Sequence, residues 1–200
     1  MNKNTLKILS LVAGILVAAV ALFDLISNLI SLGNFFNANV NDGKAIAYFI
    51  IAIIVSLAAV VFYAIVGYFI IKAYVSKTDE EKYMEYPAIT YFTFGIIGTL
   101  VAMIFWGFGD GNAWVRLILM TSGLVLLILT RFSSLEGNVK NILRLVAVGI
   151  GFALSVINLS TSGGLSVLIN LLLMSLFVII FIYYLFKMLM NNDKKEEIVQ

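Results

Sequence analysis

Apolar residues in this chain run on continuously instead of alternating with polar ones, and six of the runs reach or approach the roughly 20 residues that a helix needs to cross a bilayer. They cover residues 7–32, 45–72, 88–108, 113–131, 141–160 and 164–189. Outer-membrane strands show a two-residue alternation, so a membrane β-barrel is set aside. The pattern predicts an all-α bundle of six transmembrane helices: one integral membrane domain over residues 1–190 and a charged tail over 191–200. A single carboxylate interrupts the first run. Read as a helix, that run carries Asp24, Ser27, Asn28 and Ser31 at i, i+3, i+4 and i+7, a polar stripe on an otherwise apolar rod.

The polar breaks between runs set an orientation. Lys3, Lys7, Lys72, Lys77, Lys82, Arg131, Lys140, Arg144, Lys187, Lys194 and Lys195 fall on one side of six crossings, and only Lys44 and Arg116 on the other. Because basic residues accumulate on the cytoplasmic side, both termini are expected in the cytoplasm, with the chain laid out as three helical hairpins. The outer connections are then residues 33–44, 108–112 and 159–164, and Trp106 and Trp114 flank the second of them where an aromatic belt sits. The longest inner connection runs from Ala73 to Pro87. Thr78 and Glu81 have capping-box spacing and predict a short interfacial helix, Pro87 suits the first turn of the third span, and the mixed charges read as a solvated loop. Lys3 and Lys7 before an apolar core, with Ala19, Val20 and Ala21 within it, imitate a secretory signal; the run continues to Leu32, so an uncleaved anchor is expected. The tail from Asn191 to Gln200 is expected to fray.

Composition narrows the chemistry. With 62% hydrophobic and only 12% charged residues, the chain has about half the charge of a soluble surface, so its solvent is lipid. Cysteine and histidine are absent, which removes disulfides, thiolate or imidazole metal sites and histidine bases, and no metal or cofactor is expected. A dispersed net charge of +2 does not suit nucleic acid. The single proline, Pro87, argues against proline-kinked gating helices. There is no phosphate loop or nucleotide fingerprint. Asn158-Leu159-Ser160 matches a glycosylation sequon but lies too close to the bilayer to be read as one.

Residues Ile8 to Ala13 and Ile142 to Ala147 align, and the same offset pairs Asp24 with Asn158 and Leu25 with Leu159, a hint of duplication. The three-hairpin plan with both ends inside resembles the HdeD-like family of small bacterial membrane proteins. That resemblance covers the whole chain in topology. It implies a non-enzymatic envelope or stress-related protein and carries over no functional residue.

Two constellations are candidates for function or assembly. Small residues at four-residue spacing, Ser10, Gly14 and Ala18 in the first span and Ala147, Gly151 and Ser155 in the fifth, allow helices to approach closely in lipid or to form a contact between copies. Polar residues at comparable depth, Asp24, Asn28, Arg116, Asn158 and Asn170, either reach interfacial water near helix ends or form an outward-facing cluster in which Asp24 pairs with Arg116 and Asn158, because an ionisable group within a span usually faces a partner or a water-filled cavity. A minor third pattern is Gly107-Phe108-Gly109-Asp110, which is similar to the GxGD signature of presenilin-like and prepilin-peptidase-like intramembrane aspartyl proteases, with Asp24 as the second carboxylate. It is equally ordinary turn chemistry, and the charge bias puts both aspartates outside. The expectation is a non-enzymatic multi-pass protein of a bacterial-type cytoplasmic membrane, structural or accessory, in a larger complex or a homo-oligomer. The alternative is a small transporter or a solute- or lipid-binding component.

Overall fold

The computed structural model describes residues 3–199 apart from 39, 80 and 133, with side chains from residue 4 to residue 190 at all but those three positions. Six helices follow one another: α1 (Lys3–Asn37), α2 (Gly43–Val75), α3 (Tyr86–Trp106), α4 (Gly111–Phe132), α5 (Gly137–Thr161) and α6 (Leu165–Val199), with a 3-10 turn at Glu81–Tyr83 before α3. All six are long and apolar enough to cross a membrane. The chain is a multi-pass membrane protein.

Most helices outrun the apolar stretches that predict them. α1 has 35 residues and α2 has 33, about 50 Å each at 1.5 Å per residue. Helical hydrogen bonds close within the segment, so they continue through polar ends such as Asn34–Asn37 until a breaker or a cap intervenes. α2 starts where the Asp42 carboxylate accepts the Lys44 N–H at 3.0 Å. The turns after α3 and before α6 use Gly107 at φ 99° and Gly164 at φ 57°, a backbone region that a side chain disfavours. Pro87 sits in the first turn of α3 as expected. At the other end of the chain, α6 continues in its backbone through Val199, beyond the apolar span that ends at Met190, where a frayed tail was expected. Side chains from Asn191 onward lie outside the described residues.

The expected interfacial helix after Thr78 is a single 3-10 turn instead. Asp79 Oδ1 takes the Glu81 N–H at 3.2 Å, and Thr78 Oγ1 turns back to the Ala73 carbonyl at 3.5 Å. An Asx turn two residues ahead of Glu81 thus satisfies the donor that a threonine cap needs.

Each helix packs on its chain neighbours, α6 returns to α1, and α3 meets α5 across the ring. Contacts along each sequential pair run in opposite directions. Between α1 and α2, a Cβ on Gly14 would lie 2.9 Å from Ile71 Cγ1 and one on Gly67 would lie 3.2 Å from the Ala18 nitrogen, while Asn28 meets Ser56 and Phe35 stacks on Phe49 at 3.9 Å. Between α3 and α4, Gly123 receives the Phe92 ring and Gly95 receives Met120; between α5 and α6, Gly151 receives the Phe177 ring. In lipid, where apolar surface gains nothing by leaving its surroundings, such close packing is what holds helices together. Ser10, Ala147 and Ser155 are fully buried, and Gly14 and Gly151 are buried with them. Ala18 departs from the expected stripe: its backbone faces Gly67, but its residue surface is exposed. Phe92, Leu127, Leu154, Phe177 and Tyr184 fill the interior, whereas Leu22, Ile54, Ile104 and Ile118 face outward as a lipid-contacting surface suits.

Candidate functional site

Arg116 lies one and a half turns into α4, half-buried, on the wall of a pocket of about 480 Å³ between α3, α4 and α5. Thr99, Asp110, Asn112 and Asn158 also line it, and Gly95, Gly98, Ala102 and Ala113 leave it room. Its polar groups have separate duties. Asp110 Oδ1 accepts the Asn112 N–H at 2.9 Å and so begins α4, and Thr99 Oγ1 donates to the Gly95 carbonyl at 2.8 Å. The Gly107–Asp110 motif is therefore a turn that caps a helix. Trp114 reinforces it, donating from Nε1 to the Phe108 carbonyl at 2.9 Å.

The expected cluster is not one cluster. Asp24 is absent from the residues lining the Arg116 pocket, and no ion pair joins Asp24 to Arg116 among the described residues. The ring order explains this: α1 contacts α2 and α6, while α4 contacts α3 and α5, so equal depth along the bundle does not bring the two charges together. Asp24 instead lies within electrostatic reach of the buried Tyr63 on α2. Asn28 donates to Ser56 Oγ across to α2 at 2.8 Å and to the Asp24 carbonyl on its own helix at 2.8 Å. Asn158 does share the pocket with Arg116, and its amide donates to the Tyr91 hydroxyl of α3 at 3.3 Å. Asn170 donates to Ser162 Oγ at 2.7 Å, and Ser162 Oγ in turn donates to the Asn158 carbonyl at 2.6 Å, fastening α6 to the end of α5. Ser10 and Ser155 satisfy themselves on the Lys7 and Gly151 carbonyls of their own helices.

The densest polar arrangement is at the opposite end of the bundle. Arg144, near the start of α5, donates from Nε to Glu85 Oε1 at 2.6 Å and from Nη1 to Glu81 Oε1 at 3.0 Å and Asn141 Oδ1 at 3.1 Å. Nη2 pairs with the same Glu85 oxygen, and Lys187 of α6 pairs with the other oxygen of Glu81. The guanidinium also sits 5.2 Å from the centre of the Tyr184 ring. Glu85 is only 5% exposed, and a carboxylate that deep is tolerated because the charges beside it are matched and hydrogen-bonded. One arginine thus ties the connection before α3, the start of α3, α5 and α6. Beside it, Arg131 of α4 donates to the Tyr86 hydroxyl at 2.5 Å and lies 4.7 Å from that ring's centre.

Sequence reasoning missed this hub because residues 79–85 read as a solvated loop. The usable signal was Glu85, two residues before Pro87 at the start of an apolar run, since a carboxylate entering a span needs a partner. Tyr91, which joins α3 to α5 through Asn158 and to α6 through an edge contact with Phe177 at 5.2 Å, was hidden in an aromatic run. Groups of three or more acidic residues able to hold a metal are not found among the described residues.

Comparison with family models, curated proteins and solved structures gave no match.

Proposed function

We propose that the chain is a non-catalytic structural or accessory protein of a bacterial-type cytoplasmic membrane, built as three helical hairpins with both termini in the cytoplasm and working as a subunit of a larger complex or as a homo-oligomer. The observation that carries this reading is the interlock around Arg144: the buried Glu85 and the charges around it are committed to each other and to four segments of the chain, leaving them free for neither a substrate nor a proton path. Asn28 with Ser56 and Asn170 with Ser162 add to it, since their amides are spent on holding helices together. The orientation rests on the basic-residue bias, and the antiparallel contacts of α1 with α2, α3 with α4 and α5 with α6 fit the hairpins on which the resemblance to HdeD-like proteins is based.

The chain has no cysteine of its own, so single cysteines report topology cleanly. Gly163→Cys, in an exposed connection, is expected to label with an impermeant maleimide from outside the cell, and Ser134→Cys only after the membrane is opened. The reverse pattern would overturn the orientation. Accessory function predicts a stoichiometric membrane partner or a second copy after purification in a mild detergent; a monomer with no companion would contradict it.

A second reading, a small-solute-binding component, is favoured by one observation: Arg116 is half-buried in a roomy pocket and makes no ion pair among the described residues. The pocket's volume lies within the range of ordinary ligand sites. Under that reading a small carboxylate or phosphate compound raises the melting temperature of the wild type and not of Arg116→Gln.

A further inference from the structure

A second pocket, of about 300 Å³, opens beside the Arg144 hub, where α4 ends and α5 begins. Of its charged lining, Glu81 and Glu85 are already matched by Arg144 and Lys187. Asp79 is engaged through Oδ1 with the Glu81 N–H. That amide leaves the Asp79 charge unneutralised, but the excess facing the opening is cationic: Lys82 and Lys140 have no carboxylate partner among the described residues, and Arg131 is held by a phenol and its ring, which neutralise nothing. The guanidinium is thereby fixed in place with donors to spare.

We propose that this pocket binds the phosphodiester headgroup of an anionic phospholipid through Lys82, Arg131 and Lys140. A phosphate offers acceptors to the two ammonium groups and to the guanidinium donors that Tyr86 leaves free, and it supplies negative charge that the matched carboxylates do not. The position selects a lipid over a soluble phosphate ester. Phe132, next to Arg131, is 82% exposed, and Leu129 and Ile142, on the same two helices, are 47% and 49% exposed. Acyl chains attached to a phosphate in this pocket have an outward apolar surface to lie against, as basic pockets between spans provide for acidic lipids. The proposal rests on the membrane-spanning reading but not on any partner or transport activity.

Native mass spectrometry of protein solubilised in a non-ionic detergent, titrated with phosphatidylglycerol or phosphatidylcholine, tests it. Phosphatidylglycerol is expected to bind more tightly, and Lys82→Gln and Lys140→Gln each to weaken it about fivefold, the cost of removing one interfacial cation. Lys44→Gln, a cation at the other end of the bundle, is expected to change nothing. Both pocket lysines lie outside the buried interlock, so their variants should elute and melt like the wild type. Equal retention of the two lipids, unchanged affinity in both pocket variants, or equal weakening by Lys44→Gln would overturn the site. Displacement of the lipid by millimolar glycerol 1-phosphate would assign the phosphate to a soluble ester and overturn the lipid. Since the protein is recovered from membranes before the titration, any of these failures leaves the membrane-spanning reading intact.

Discussion

The two ends of the bundle treat charge in opposite ways. At the Arg144 end, a half-buried guanidinium meets two carboxylates, an amide and an aromatic ring, and a lysine completes the set. At the Arg116 end, a half-buried guanidinium lines an open pocket that also holds Asp110, no ion pair joins Arg116 to a carboxylate among the described residues, and the expected partner, Asp24, belongs to a helix elsewhere in the ring. A charge inside low-dielectric surroundings must either be matched or reach water. The first end uses matching, and this fixes the relative positions of α3, α5 and α6. The second uses access to water, and this leaves its arginine available.

The largest effect that could break this contrast is at the hub. Arg144→Gln strands Glu85 and Glu81 and is expected to cost about 3–5 kcal/mol, the usual penalty for removing one member of a buried pair. It should appear as a large fall in melting temperature or folded yield in detergent. Arg144→Lys keeps the charge but not the forked geometry and should fall in between. Next comes the packed middle, which sets the scale for a change that involves no charge. Gly151→Leu forces a side chain to within 2.7 Å of the Phe177 ring, and overpacking of that kind costs about 1–3 kcal/mol in thermal unfolding. Gly14→Leu meets Ile71 and should behave alike.

How much of this could be read along the chain differs by level. The six spans were legible because each is a continuous apolar run, and a helix in lipid needs no further signal. Their ends were not, since Asn34–Asn37 and the residues after Met190 stay helical through backbone bonds that hydrophobicity does not report. Asp24, Arg116 and Asn158 do fall within the long apolar helices. Angular position was not legible, and it decides contacts; Arg116 and Asn158 line one pocket that Asp24, on α1, does not reach. Glu85 and Arg144 are separated by 59 residues, and no local pattern announces that α3 and α5 will bring them together.

Smaller changes sharpen the comparison. Asn28→Ala removes one bond between α1 and α2 and should cost roughly 0.6 kcal/mol, typical of a single interhelical hydrogen bond in a membrane. Arg116→Gln should stay within about 0.5 kcal/mol of the wild type in unfolding experiments, as a half-exposed side chain with no ion pair among the described residues does.

The contrast itself is measured by a pair of double-mutant cycles under identical detergent conditions. Arg144→Gln with Glu85→Gln should show a coupling of about 0.5–3 kcal/mol, whereas Asp24→Asn with Arg116→Gln should add to within about 0.3–0.5 kcal/mol. Additive effects at Arg144 and Glu85, or a coupling between Asp24 and Arg116 as large as that at the hub, would contradict a bundle locked at one end and open at the other.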